Sequence, residues 1–241
     1  MRFTQPALEP AAVDAREAWG EFVRDGAVDP RRVRPPTLRA WQRSAAAGCN
    51  PHQARADVLS AEQTIHLLRK EHRLVAIATP FLGALSRAAG PERHAAMLGD
   101  GHGRVLKIIG DADTVSDADF PRAGSLLSET VAGANGIGTA LAERSYVELV
   151  GPEHYIEGFH VFTCQGVPLL GLNAEPVGVL SMSVRRQETA SKVRDILFCA
   201  SEAAECELLS ERLSETLASI APMERILESL RRSTAPDDGA K

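Results

Sequence analysis

The sequence predicts an α+β fold, an antiparallel sheet with helical layers, flanked by N- and C-terminal helices. Three observations carry this. Short apolar runs at residues 146–150, 161–164, 167–170 and 177–184 lie close together and read as strands. In the last run Leu180, Met182 and Val184 share one face and Ser181 and Ser183 the other, the period of two of a strand. Apolar stripes of helical period lie before and after this cluster.

The elements follow in order. Residues 7–26 form an amphipathic helix that ends near Gly26 and Asp29-Pro30. Arg34-Pro35-Pro36 reads as a linker, because Pro-Pro cannot continue a helix. Thr37 then caps a short helix through Trp41, which stops at Gly48 and Asn50-Pro51. Ser60 begins a longer helix with Glu62 and Gln63 in its first turn, where the helix dipole favours acceptors. Its stripe is Leu67, Leu74, Ala78, Phe81 and Leu85, with Pro80 as a kink. The run Asp100-Gly101-His102-Gly103 separates two apolar stretches and predicts a β-hairpin. Residues 117–132 read as helix, followed by the strand cluster. After Gln187 a helix carries Val193, Leu197, Ala200, Ala204 and Leu208, spaced by four, three, four and four. It extends to Pro222, and a second short helix follows to Arg232. The expected organisation is an N-terminal helical segment (1–58), a central domain with its leading helix (59–186), C-terminal helices for signalling and dimerisation (187–232) and a disordered tail (233–241).

Composition narrows the function. The 241 residues are 44% apolar and 24% charged, ordinary for a soluble globular chain. A net charge of −5 with only short basic clusters argues against a surface built for nucleic acid. The four cysteines, at 49, 164, 199 and 206, lack zinc or disulfide-framework spacing and read as reduced thiols. No membrane-spanning run or signal peptide is legible, so a cytoplasmic location is expected. A Gly-x-x-x-x-Gly-Lys-Ser/Thr phosphate loop is absent.

The densest motif is Gly-Ala-Asn-Gly-Ile-Gly-Thr-Ala-Leu at residues 133–141. Its glycines permit a tight turn and Asn135 is placed to cap the helix that follows. Gly-Pro-Glu-His-Tyr follows at 151–155, then Cys164 before an apolar strand, then Gly178-Val179-Leu180. Together with Trp41, Arg43 and Ser44 upstream, this order resembles the sensory GAF domain of sigma-54-dependent transcriptional activators of the acetoin-catabolism type. The resemblance covers most of residues 34–184. Ala134 stands where the family usually has Thr, Leu127 where Trp is usual, and Asn173-Ala174-Glu175 replaces an Asp-x-Gly turn. It implies a small-molecule-sensing regulatory protein, with a small ketone, diol or alcohol as effector and no cofactor. The family's ATPase and helix-turn-helix modules are not in this sequence. It therefore reads either as a piece of a longer regulator or as a stand-alone sensor, with no direct DNA or membrane binding.

The candidate effector-binding residues are Ser128, Glu129, His154, Tyr155, Phe162 and Cys164, placed between the sheet and the Gly-rich loop. Each has a plainer alternative. Ser128 can cap a turn and Glu129 can face solvent. His154 can bond an effector or ligate a metal or haem iron, or it can tie its loop to backbone carbonyls, the commoner role of a lone His. Cys164 can be a thiol of a reductase or a small buried apolar residue. His160 sits four residues from Cys164; on one strand that is about 13 Å, too far for a Cys–His pair. No catalytic or metal set emerges. Partners expected are the effector, a second copy through the stripe from Val193 to Leu208, and a regulatory protein. The alternatives from other classes are a thiol-dependent reductase and an interaction module with a vestigial pocket.

Overall fold

The computed structural model describes residues 15–90, 93–185 and 191–233. Residues 7–14 of the expected N-terminal helix and the tail beyond Ser233 lie outside them. Helix α1 (Ala15–Asp25) buries Ala18, Trp19 and Phe22 on one face. Helix α2 (Pro35–Ala46) begins with the two prolines that read as a linker. A helix's first N–H groups have no intrahelical partner, so Pro costs nothing there and its fixed φ favours the first turn. The expected long helix from Ser60 is two helices, α3 (Ala61–Lys70) and α4 (His72–Ala89), broken at Glu71. Ser60 and Gln63 form a reciprocal capping box on α3.

Strands β1 (His94–Asp100) and β2 (Val105–Gly110) form the expected hairpin. A four-residue helix, α5 (Ala112–Val115), follows. Residues 117–132 are not the expected helix; only α6 (Glu129–Ala132) is helical there. Pro121 and Gly124 (φ +89°) interrupt the pattern, and Asp117 turns the chain by accepting from the N–H of Asp119 at 3.0 Å. Helix α7 (Gly138–Glu143), strand β3 (Val147–Val150) and two 3-10 turns (Gly151–Glu153 and Glu157–Phe159) lead into β4 (Thr163–Leu170). Here the two expected strands are one. β5 (Pro176–Val184) completes a five-stranded antiparallel sheet of order β2-β1-β5-β4-β3.

The last helix, α8 (Ser191–Ser233), runs unbroken through Pro222. Ala221 and Met223 are exposed there, so water reaches the turn around Pro222. The stripe read as a dimer interface is instead part of this chain's own core. Val193, Leu197, Ala200 and Ala204 are buried with α4 against Val167, Leu169, Leu180 and Met182 of the sheet. The outer face of the sheet must be covered, and the helix that follows β5 is the nearest cover. Cys199 and Cys206 are exposed on this helix.

The sheet therefore separates two cores. The outer one holds α4 and α8. The inner one holds α1, α2, the Gly-rich loop and the segment 151–162. The inner layers meet most closely at Gly166, where an added Cβ would overlap the carbonyl of Gly136 and touch Ala140. Gly166→Ala is expected to destabilise the protein by about 2–3 kcal/mol through overpacking. Gly20, inside α1 with open space at its Cβ position, provides the contrast: Gly20→Ala should stabilise by about 0.5–1 kcal/mol. Urea unfolding midpoints of both variants check the pair.

Candidate functional site

On the inner face of the sheet lies a small cavity. Its floor is Met97 of β1, Cys164 of β4 and Ser181 and Ser183 of β5. One wall is the cap loop at Asn135, Gly136 and Ile137; the others are Phe120, Pro121, Phe159 and Phe162. Alternation along β5 turns the two serines to the cavity and Leu180, Met182 and Val184 to the outer core. No charged side chain lines the cavity among the described residues. Space open to a water-sized sphere is about 20 Å³, enough for one water.

Asn135 builds the wall. Its Oδ1 accepts from the N–H groups of Ile137 (3.0 Å) and Gly138 (2.9 Å), the free donors at the start of α7. Its Nδ2 donates to the carbonyls of Leu127 (2.8 Å) and Gly133 (2.7 Å). This amide is fully engaged in architecture. Ser181 is similarly engaged, donating to the carbonyl of Gln165 at 2.7 Å. The polar edge left to the cavity is Cys164 Sγ beside Ser183 Oγ at 3.0 Å. Burial pushes the Cys164 thiol up to about 12, so at neutral pH it is a thiol and not a nucleophilic thiolate.

Of the six sequence candidates, Phe162 and Cys164 line the cavity. The other four stand behind its walls. Glu129 is buried and accepts from Arg43 of α2 through Nε at 2.5 Å and Nη2 at 2.9 Å. Ser128 bonds Thr130 at 2.9 Å. Tyr155 packs its ring against Gly133, accepts from the indole of Trp19 at its carbonyl (2.9 Å) and donates its N–H to Ala134 (3.1 Å). His154 is fully buried, and its Nδ1–H donates to the carbonyl of Gly151 at 2.9 Å. That bond fixes the tautomer, so Nε2 is a bare acceptor, and it has no partner. Sequence reasoning missed Ser181 and Ser183 as lining residues, although the alternation that places them was visible. It missed Phe120 and Pro121 because their segment read as helix.

N-terminal helices brace this site. Trp41 Nε1 donates to the carbonyl of Glu153 at 2.7 Å. Arg34 grips the buried Glu153 carboxylate with Nε (2.6 Å) and Nη2, and reaches the carbonyl of Glu148 at 2.6 Å. Glu153 in turn accepts from the N–H of Val150 at 2.8 Å.

Burial pushes the His154 imidazole down to about 3. The unfolded chain thus binds a proton near pH 6.5 that the folded chain refuses until about pH 3. Stability from this group is complete above pH 6.5 and is lost as the pH falls from there towards 3. His154→Asn keeps a donor for Gly151 but cannot titrate. Between pH 7 and pH 5 the wild type is expected to lose about 2 kcal/mol more than this variant, measured by urea unfolding at each pH.

Comparison with known proteins places the chain. Residues 11–208 match the family described as MimR, N-terminal domain. The acetoin dehydrogenase operon transcriptional activator AcoR of Bacillus subtilis is 28% identical over 221 residues, 86% of this chain and 36% of the activator. The propane 2-monooxygenase operon transcriptional activator MimR of Mycolicibacterium goodii is 30% identical over 164 residues, 66% of this chain and 27% of the activator. The chain thus spans about a third of the length of these two relatives. Among solved structures, the E. coli DhaR(N)–DhaL complex shares the fold with a TM-score of 0.70 at 15% identity, over 82% of this chain and 67% of that one. The chain belongs to the MimR N-terminal domain family and carries the GAF-like fold of the sensory region of sigma-54-type transcriptional activators.

Proposed function

We propose that this chain senses a small uncharged molecule in the cavity between the sheet and residues 128–164, and passes the signal to a transcriptional activator system. The carrying observation is the cavity itself, with apolar walls, no charged lining and one polar edge at Cys164 and Ser183. That chemistry suits a small ketone, diol or alcohol, the class suggested by the resemblance to acetoin-type activators. The mechanism is a population shift. β4 and β5 carry the polar edge on one face and pack against α8 on the other, and Glu205 of α8 accepts from the N–H of Leu170 at 2.7 Å. A shift of these strands is felt by α8. The protonated Cys164 thiol supports sensing over thiol catalysis. The region works inside the cell as a soluble regulator.

A second reading, input from a protein partner, is favoured by one observation. The cavity holds only about 20 Å³, and the fold relative DhaR(N) was crystallised with DhaL. The readings separate by direct binding. In a panel of three- to five-carbon ketones, diols and alcohols, at least one compound should raise the melting temperature in proportion to its occupancy. Ser183→Ala should weaken that compound about five- to tenfold, the worth of one neutral hydrogen bond. If nothing in the panel binds by calorimetry, the small-molecule reading fails and the protein-input reading stands.

We also propose a homodimer, through the far half of α8 and not through its buried stripe. Leu209, Leu213, Thr216, Ile220, Met223 and Leu227 recur at steps of four and three, a coiled-coil seam. Leu213, Ile220, Met223 and Leu227 are 41–61% exposed in the single chain. Ile220→Glu with Leu227→Glu should yield a folded monomer by sedimentation velocity. Leu197→Glu, at a fully buried position, should instead unfold the domain. An unchanged sedimentation coefficient in the double variant rejects the seam.

A further inference from the structure

The inner cavity is narrow and lined by buried residues, so any effector needs room to enter. A second, larger hollow lies on the other side of one of its walls. This outer groove encloses about 350 Å³, is open to solvent, and lies between residues 55–58 and the segment 118–125. Phe120 and Pro121 line both spaces and form the partition between them. Charged groups sit only on the outer side: Arg55, Asp57, Asp119 and Arg122. We propose that the effector site has two compartments, with Phe120 as the gate between an outer groove that first receives the molecule and the inner cavity that holds it. This rests on the sensing reading above and names the route to that same site.

The geometry of the partition supports a gate. Phe120 is buried, with its ring edge-on to Phe162 at 5.4 Å between centroids. Phe162 is covered in turn by the guanidinium of Arg185 at 5.7 Å, and Arg185 donates to Asp117 at 3.2 Å. Two turns flank the partition. One closes from the N–H of Phe120 to the carbonyl of Asp117 (3.1 Å), the other from the N–H of Ser125 to the carbonyl of Arg122 (2.9 Å). Phe120-Pro121 is the joint between them. Residues 117–123 belong to no helix or strand, and the segment is tied down at its end, where the N–H of Gly124 donates to the carbonyl of Val105 in β2 at 2.8 Å. Swinging the joint outward breaks the Phe120–Phe162 ring contact and strains two exposed or partly exposed ion pairs, Arg185–Asp117 and Arg55–Asp119, all weak ties.

The alternative route runs past Phe159, on the opposite wall. That wall is the segment 151–162, which is pinned by the indoles of Trp19 and Trp41 and by the bidentate grip of Arg34 on Glu153. Opening there strands buried carbonyls and a buried carboxylate. The Phe120 side is the softer wall, and the groove beyond it is ready to receive what enters.

Cys164 reports on the gate without any effector, because its thiol lines the inner cavity. The probe is methyl methanethiosulfonate, small and uncharged, reacted at fixed pH 8 and followed by the mass of the Cys164 peptide. Cys49 is the internal control, since its thiol is buried elsewhere and donates to the carbonyl of Val131 at 3.4 Å. Phe120→Ala should accelerate labelling of Cys164 at least tenfold while Cys49 changes less than twofold. Trp41→Phe, which loosens the opposite wall, should change Cys164 labelling less than twofold. An unchanged Cys164 rate in Phe120→Ala, or an equal acceleration in Trp41→Phe, overturns the gate. If Phe120→Ala exposes both cysteines together and so has unfolded, Asp117→Asn decides. A severalfold rise confined to Cys164 then supports the gate, and no rise overturns it. A gate that passes this test while the compound panel binds nothing leaves the sensing reading alone at fault.

Discussion

Residues 151–162 fold into the interior with little strand pairing, and their backbone must still be satisfied. The N-terminal region supplies the partners. Trp41 and Trp19 donate indole N–H groups to the carbonyls of Glu153 and Tyr155. The carbonyls of Pro51 and Gln53 accept from the N–H groups of Glu157 and Gly158. Arg34 neutralises the buried Glu153. Each bond replaces a buried unsatisfied group that would cost about 1–3 kcal/mol. Remove α1 and α2, and this wall of the cavity loses its reason to stay where it is. The helices are thus a structural part of the sensor and not a leader in front of it.

The sheet then imposes a division of labour. One face carries the cavity with its serines and Cys164; the other carries aliphatic side chains under α4 and α8. Because successive residues of a strand point to opposite faces, Ser183 and its neighbours Met182 and Val184 move as one rigid piece. On the sensing reading proposed above, a displacement at the polar edge reaches α8 through these strands, which pack directly on it. In the proposed dimer, the seam lies beyond Leu208, at the end of α8 farther from the sheet.

How much of this was legible depended on whether local chemistry or distant packing decided the outcome. The β1–β2 hairpin, the Asn135 cap and the alternation of β5 were local and could be read from the run Asp100-Gly101-His102-Gly103, from Asn135, and from Ser181 and Ser183 directly. Pro35-Pro36 misled because the same residues that end a helix also begin one, and only the position of Arg34 relative to Glu153 shows which. The stripe at Leu197 was read correctly as apolar, but a stripe does not say what covers it. The same holds at Glu129 and His154: their types signalled a site, while their partners, Arg43 and Gly151, assign them to its scaffold. Residues 117–128 carried too few apolar periods to overrule a helical reading, and the partition residue Phe120 was lost with them.

A resting cavity near 20 Å³ has a consequence for sensitivity. If the open form is populated only to a fraction f, the observed dissociation constant is the intrinsic one divided by f. An effector that must displace Phe120 therefore binds weakly overall even when its contacts inside are good. Weak binding makes the response depend on accumulation of the compound to concentrations near that raised constant. It also sharpens selectivity, because opening yields a net gain only to molecules that then fill the enlarged space and meet Cys164 and Ser183 with a hydrogen-bonding group. A charged molecule gains nothing inside, as no opposite charge lines the cavity. With a cavity this narrow and the gate proposed at Phe120, discrimination is a property of the opening step as much as of the contacts that follow it.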